Sequence, residues 1–196
     1  MFFIKFAYRE SRIKNYLIAF IKKYFGMKKH NGMRPHDVVI LLKIVAIDNE
    51  NWMMKDIANK LHISSSEVSE SLNRSVWAGL MTNDKRRVFK SALLDFITHG
   101  LKYVYPQKPG AMVRGIKTAH SAPPLSFEIQ SEQNYVWPYA EGDSRGFAIE
   151  PLHPNVPKAC LEDPKLHELL ALLDAVRIGN TREQNMAINE LKKRIQ

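Results

Sequence analysis

Residues 54–81, MKDIANKLHISSSEVSESLNRSVWAGLM, contain two short amphipathic helices joined by a tight turn. In the second helix, Val68, Leu72 and Val76 recur at every fourth position, which is the spacing of one helix face. Ala58 in the first helix is small enough to lie where the two helices cross. The apolar seam that we expect to face the core consists of Ile57, Leu61, Ile63, Val68, Leu72 and Val76.

Local signals fix the two ends of the second helix. Ser64 and Glu67 form an S-x-x-E capping box, in which both side chains accept hydrogen bonds from otherwise unpaired backbone N–H groups. Gly79 stops the helix, because glycine adopts the left-handed conformation at little cost. The pattern therefore predicts a helix from about Trp52 to Leu61, a turn, and a helix that starts at the Ser64 cap.

The opposite face of the second helix is polar, and most of its side chains are short. Its members are Ser65, Ser66, Ser69, Glu70, Asn73 and Arg74. Such a face suits a helix that enters the major groove of double-stranded DNA, which is about 12 Å wide. An ordinary helical hairpin with a solvated, serine-rich face is the other interpretation. DNA recognition is favoured because the small crossing residue, the capped helix and the Gly-Leu exit occur together.

This segment resembles the winged helix-turn-helix of bacterial transcriptional regulators, the MarR-type group in particular, over about residues 35–90. The residues that match the family's motif are Ala58, Leu61, Ile63, Ser64, Val68, Ser69, Gly79 and Leu80. The resemblance implies a wing at residues 82–88 that carries an acidic residue followed by basic ones. Three features depart from the family pattern: His62 replaces a turn glycine, Ser71 replaces an apolar residue, and the wing is short.

The DNA-binding interpretation assigns a role to each exposed polar residue. We expect base contacts from Ser65, Ser66, Ser69, Glu70 and Asn73, and phosphate contacts from Lys55, Lys60, Arg74, Lys85, Arg86 and Arg87. One recognition helix touches few bases, so a homodimer is expected, with two such helices about 34 Å apart on an inverted-repeat site.

Prolines partition the chain outside this motif. Pro35 starts an apolar helix that ends at residues 48–51, whereas the other nine prolines lie between Pro106 and Pro164. Because proline is costly inside a helix, turns and short strands are expected over 106–163. Within that stretch, residues 134–140 and 146–152 are predicted to form a hairpin through the polar segment between them.

Two helices are expected to close the chain over residues 164–196. Asp163 caps the first, and Thr181 with Gln184 is predicted to form the capping box of the second. The leucine-rich faces of these helices are the predicted dimer interface.

The expected fold is therefore mainly α, of the α+β class, in three parts. A basic N-terminal arm or helix spans 1–32, a winged helix-turn-helix domain spans 33–105, and a proline-rich α+β module with dimerisation helices spans 106–196. The arm carries eight of the 29 basic residues and one of the 20 acidic ones. Its longest uncharged apolar run is six residues, far below the roughly 20 that a transmembrane helix needs, so no stable membrane insertion is expected.

Motifs for catalysis or cofactor binding are weak. Cys160 is the single cysteine, and the histidine spacings match no metal-binding pattern. Residues 110–118 approach a phosphate-binding loop, but the spacing to Lys117 is one residue too long. No cofactor, metal or enzymatic activity is expected, and Cys160 is interpreted as a small buried residue.

These observations predict a cytoplasmic, sequence-specific transcriptional regulator that binds double-stranded DNA as a dimer. A second interpretation stays open, in which an antitoxin-like or adaptor protein binds a protein partner through the C-terminal module. In that case the helix-turn-helix serves only to regulate the protein's own synthesis.

Overall fold

The computed structural model describes residues 32–196 of the 196-residue chain. The helices are α1 (Pro35–Ile47), α2 (Met54–Leu61), α3 (Ser65–Trp77), α4 (Lys90–His99), α5 (Leu101–Val104), α6 (Val156–Leu161), α7 (Pro164–Ile178) and α8 (Thr181–Ile195). The strands are β1 (Met112–Lys117), β2 (Tyr135–Pro138) and β3 (Ser144–Ala148). Over these residues the predicted α+β class is confirmed. The predicted basic arm lies outside the described residues, except for Gly32.

Helix α1 lies at the centre of the core. Residues 37–45 are all buried, and Pro35 occupies the first turn, where its missing N–H is not needed. The helix ends in a left-handed residue, Asp48, with φ 49°. Because α1 packs against α2, α3 and α7, it joins the helix-turn-helix to the closing helices.

The three strands form a small closed sheet in which β1 pairs with both of the others. β1 is antiparallel to β2 and to β3, and β2 and β3 are consequently parallel to each other. The predicted hairpin is wrong, because the chain between β2 and β3 crosses over β1 instead of turning back on β2. At this crossing a Cβ on Gly142 would lie 2.2 Å from the carbonyl oxygen of Gly115, so only glycine fits there.

A buried polar cluster fastens this sheet to α7. Oδ2 of Asp174 accepts hydrogen bonds from Thr118 Oγ1 at 2.9 Å and from Trp137 Nε1 at 2.6 Å. Oδ1 of the same carboxylate accepts from Arg177 Nη1 at 2.6 Å. Burial raises the pKa of Asp174, and the three donors oppose that rise because they favour the ionised carboxylate.

The proline-rich region contains a helix that its composition does not predict. Pro157 occupies the first turn of α6, where proline is tolerated, so the expectation of turns and strands alone is wrong for residues 156–161. Cys160 on this helix is buried as predicted, and burial raises the pKa of its thiol.

The closing helices are internal to the fold. The leucines of α7 are at most 3% exposed, and the helix packs on α1, α5 and α8. A dimer interface built from these leucines is therefore wrong, because they already form the core of one chain. Dimer formation itself stays a prediction.

The two predicted caps of these helices have different outcomes. Asp163 caps α7 as expected, accepting from Leu166 N at 3.1 Å. The box on α8 lies one residue earlier than predicted, because Asn180 and Glu183 form it rather than Thr181 and Gln184.

Residues 33–196 form one compact unit, and its apolar core runs continuously from Val38 to Ile195. The helix-turn-helix and the proline-rich region share this core, and the domain boundary expected at residue 105 stays a prediction. None of the helices within residues 32–196 combines the length and the apolar character that crossing a membrane requires.

Candidate nucleic-acid interface

The turn between α2 and α3 has the tight geometry that the sequence predicts. His62 adopts the left-handed conformation with φ 53° and ψ 41°, as expected for the residue in the glycine position. The chain then folds back so that Ile63 N–H donates to the carbonyl oxygen of Ala58 at 3.0 Å. A bulky residue is tolerated because His62 points outward and is exposed.

Packing behind the turn fixes the two helices against the core. Ile57 and Val68 are fully buried, Leu61 and Leu72 are at most 3% exposed, and Ala58 at the crossing is 3% exposed. Helices α2 and α3 both pack on α1. The predicted seam is confirmed at these positions, while Ile63 and Val76 are only half-buried at its ends.

The N-terminus of α3 carries the predicted capping box. Glu67 N–H donates to Ser64 Oγ at 3.1 Å, and Ser64 N–H donates to Glu67 Oε2 at 3.0 Å. Hydrogen bonds from Ser64 lower the pKa of Glu67. Ser64 Oγ also lies 2.9 Å from Ser66 Oγ, so the first turn of the helix is held by its own side chains.

Most of the predicted base-reading residues share one exposed surface. Ser65, Ser66, Glu70 and Asn73 are exposed and Ser69 is half-buried, all on α3. Trp77 follows Asn73 by one helical turn and is 77% exposed, so it extends the same surface. Sequence analysis missed Trp77, although its position four residues after Asn73 would have placed it on this face.

Arg74 does not lie on that surface. Its side chain is buried, with Nε donating to Asp37 Oδ2 at 2.8 Å and Nη2 donating to Asp37 Oδ1 at 2.6 Å. The exposed position predicted for Arg74 is therefore wrong: its guanidinium binds the start of α1 and is not displayed for a phosphate. Hydrogen bonding to Asp37 raises the pKa of Arg74.

Asp37 has two roles, neither of which the sequence analysis identified. Besides binding Arg74, its Oδ2 accepts from the backbone N–H of Arg34 at 2.7 Å and so closes the first turn of α1. The signal was a carboxylate in the first turn of an otherwise apolar helix, because a fully buried charge requires a partner.

Helix α2 carries two of the cations that were predicted to contact phosphate. Lys55 and Lys60 are exposed, and neither forms an ion pair with another described residue. Both ammonium groups are therefore free to contact a polyanion.

Residues 80–89 form a short antiparallel turn beside α3. Met81 and Val88 make a single β-bridge, and Thr82 N–H donates to the carbonyl oxygen of Arg87 at 2.9 Å. Asp84 accepts from the hydroxyl of Thr82 and from Arg86 N–H, which together lower the pKa of Asp84. Lys85 occupies the tip in the left-handed conformation, with φ 59°.

The two arginines of this turn have different environments. Arg86 Nη1 donates to the carbonyl oxygen of Trp52 at 2.9 Å, and its guanidinium carbon lies 5.6 Å from the centre of the Trp52 ring. Arg87 has a 65% exposed side chain, with Nε 3.8 Å from Glu50 Oε1. Arg86 and Arg87 are both exposed and Lys85 is half-buried, but the Arg86 guanidinium is partly engaged by Trp52, so Arg87 is the more available of the two arginines.

Within residues 32–196, no three histidine, cysteine, aspartate or glutamate side chains are grouped so as to hold a metal ion. No protein-family model, curated protein or solved structure matches this chain. The case for a function therefore rests on the residues of the chain itself.

Proposed function

We propose that this protein is a sequence-specific DNA-binding transcriptional regulator of the cytoplasm, which acts by binding rather than catalysis. The observation that carries the proposal is the geometry of α2 and α3. Two helices packed through Ala58, with a left-handed turn at His62, present an exposed row of short polar side chains. This is the arrangement by which a helix-turn-helix inserts its second helix into the major groove.

In this proposal the bases are read by α3 and the affinity comes from its flanks. The exposed part of α3 carries Glu67 and Glu70 and no free cation, because Arg74 is bound to Asp37. Phosphate contacts must then come from Lys55 and Lys60 on α2 and from Lys85 and Arg87 in the turn 80–89, which we infer to be a short wing. Glu70 is compatible with DNA where it accepts a hydrogen bond from a cytosine amine.

The proposed regulator binds an inverted-repeat site as a homodimer. A single α3 spans too few base pairs for genomic specificity, so two copies are required. Since the leucines of α7 are internal, the surface that joins the two copies lies elsewhere.

The direct test is fluorescence anisotropy with the full chain, DNA from its own upstream region and a scrambled duplex, at two salt concentrations. We expect the upstream DNA to bind on the order of 1,000-fold more tightly than the scrambled DNA. Equal, weak binding to both would contradict the proposal, because the net positive charge alone would then account for it.

Variants sharpen this test. Asn73→Ala should change the preferred sequence, with a cost of about 1–3 kcal/mol on the best site. Lys85→Ala with Arg87→Ala should weaken all duplexes alike and lower the salt slope by about two. The matched controls are Asn189→Ala and the pair Arg182→Ala with Lys192→Ala, which replace exposed residues of α8. An Asn73→Ala variant that loses affinity equally on every sequence would remove the base-reading assignment.

A protein partner at the C-terminal module is the second candidate function. Phe127 is 81% exposed and Met112 is 58% exposed, both within the proline-rich region. Stoichiometric co-purification of one partner with the wild-type chain, lost in Phe127→Ser and retained in Asn73→Ala, would favour this function. Retention in Phe127→Ser would place the partner elsewhere.

A further inference from the structure

The loop after β3 contacts the turn of the helix-turn-helix at His62 and the first turn of α1 at His36. Asn155 Nδ2 donates to the carbonyl oxygen of His62, the turn residue, at 2.6 Å. The rings of His36 and His153 meet edge to face, with their centres 6.0 Å apart and their planes at 73°. We call these four residues, His36, His62, His153 and Asn155, the histidine joint. A void of about 10 Å³ beside His36, His153 and Asn155, lined otherwise by apolar side chains, is too small for a ligand.

The protonation state of His36 follows from its neighbour. Its Nε2 lies 3.1 Å from Arg74 Nη2, and a guanidinium can only donate hydrogen bonds. Nε2 must therefore accept, which requires a neutral ring with its proton on Nδ1. The carboxylate oxygen Oδ1 of Asp37 lies 3.5 Å from the same nitrogen, beyond hydrogen-bonding distance.

The same reasoning gives the opposite tautomer for His153. Its Nδ1 lies 3.2 Å from the backbone N–H of Asn155, which is also an obligate donor. Nδ1 must accept, so the ring is neutral with its proton on Nε2. Each ring is thus neutral and accepts a hydrogen bond through one unprotonated nitrogen: His36 from Arg74 of α3, and His153 from the backbone of its own loop. Protonation would remove both accepting lone pairs.

The charged groups around the two rings come from two helices, α1 and α3. Arg34 and Asp37 face His36 from the start of α1, and Arg74 faces it from α3. Glu67, at the N-terminus of α3, faces His153. Burial is the largest influence on both rings and lowers the pKa of each. Asp37 and Glu67 partly offset this by raising the pKa of His36 and His153, respectively.

We propose that the histidine joint is a pH-sensitive latch, which holds the loop 153–155 on the helix-turn-helix while both rings are neutral and releases it when they are protonated. Protonation abolishes the bonds accepted from Arg74 and from the backbone of Asn155. It also places two cationic rings 6.0 Å apart, one of them beside the Arg74 guanidinium. Asn155, with its backbone no longer held, then leaves the carbonyl of His62.

The pH window follows from the direction of the shifts. Both rings have a folded-state pKa below the ordinary value of 6.5. The unfolded or opened state therefore takes up protons first as the pH falls. The contribution of the latch is complete above pH 6.5 and declines as the pH falls through the two folded-state pKa values.

The test is NMR on the full chain without DNA, so that its result does not depend on the proposed function. Long-range ¹⁵N–¹H spectra at pH 8 should show His36 protonated on Nδ1 and His153 protonated on Nε2. Between pH 8 and pH 5, hydrogen-exchange protection of the Asn155 amide, corrected for its intrinsic rate, should fall by about tenfold or more.

The decisive variant is His36→Gln with His153→Asn. In each case the amide oxygen can take the place of the accepting ring nitrogen, but it does not titrate. This variant should keep Asn155 protected at both pH values, whereas His99→Gln, at an exposed histidine outside the joint, should respond as the wild type does. Equal protection of the wild type at both pH values, or loss of protection in the double variant, would overturn the latch. If the double variant does not fold, the tautomers of the wild type test the latch instead. Any assignment other than a proton on Nδ1 of His36 and on Nε2 of His153 contradicts the proposal.

Discussion

The two faces of α3 use similar residues for different purposes. The outer face displays Ser65, Ser66 and Asn73, while the inner face buries Ser71, Arg74 and Ser75. Asn73 and Arg74 are neighbours in sequence, yet Asn73 is exposed whereas Arg74 forms a bidentate ion pair with Asp37. The polar inner face fixes how α3 lies on α1, and this in turn determines where the outer face points.

The largest difference between the inner and outer faces of α3 is expected at the Asp37–Arg74 ion pair. Arg74→Ala leaves a fully buried carboxylate without its cation, and we expect it to lower the free energy of unfolding by about 3–5 kcal/mol. Urea denaturation followed by circular dichroism measures this change. Asn73→Ala, one residue away on the outer face, should stay within about 0.5 kcal/mol of the wild type.

A double-mutant cycle separates the ion pair from the loss of packing. Asp37→Ala with Arg74→Ala should cost less than the sum of the two single changes, because neither charge is then left unpaired. Strict additivity would show that the two side chains do not stabilise each other, and the division between inner and outer face would lose its main support.

How well the sequence predicts a contact in this structure depends on how far apart the two contacting residues lie along the chain. The Ser64–Glu67 box and the stop at Gly79 depend on neighbours within a few residues, and both were predicted. The Asp37–Arg74 pair joins residues 37 positions apart, and periodicity could not distinguish an arginine at the boundary of the polar face from one bound beneath it.

The errors in the C-terminal part have the same origin. Two strands separated by a short polar segment are usually a hairpin, but here the close approach of Gly115 and Gly142 lets the chain cross β1. The α7 leucines indicate a buried helix, and only the packing of α1 and α8 around it shows that the burial is within one chain. For the candidate site, sequence located the exposed row on α3 but not the ion pair with Asp37 that holds Arg74 beneath it.

A smaller change in stability is expected at the buried serines of the inner face of α3. Ser71 and Ser75 are fully buried, and neither hydroxyl has a hydrogen-bond partner among the described residues. An unpaired buried hydroxyl costs about 1–3 kcal/mol, so Ser71→Ala and Ser75→Ala should each raise the free energy of unfolding, by about 1 kcal/mol. A loss of stability in the same urea experiment would mean that the hydroxyl has a partner, such as a water molecule or a helix carbonyl.

An effect of similar size is expected at the N-terminal cap of α3. Ser64→Ala removes the hydroxyl that accepts from Glu67 N–H, and should lower the free energy of unfolding by about 1 kcal/mol. Ser65→Ala is the matched control, because Ser65 is exposed and lies outside the box; it should have little effect.

The pH dependence of this cap gives a further check. Ser64 lowers the pKa of Glu67 from its ordinary value of 4.5, so the carboxylate stabilises the folded chain above that pH. The stabilisation is lost as the pH falls through the lowered pKa. The difference between wild type and Ser64→Ala should therefore be largest near neutral pH and shrink below pH 4.5. A difference that is constant from pH 7 to pH 3 would mean that the Ser64 hydroxyl acts only by accepting from the Glu67 N–H and not through the Glu67 carboxylate. The backbone N–H of Ser64, which Ser64→Ala retains, would then be the only part of Ser64 that holds the carboxylate in the first turn of α3.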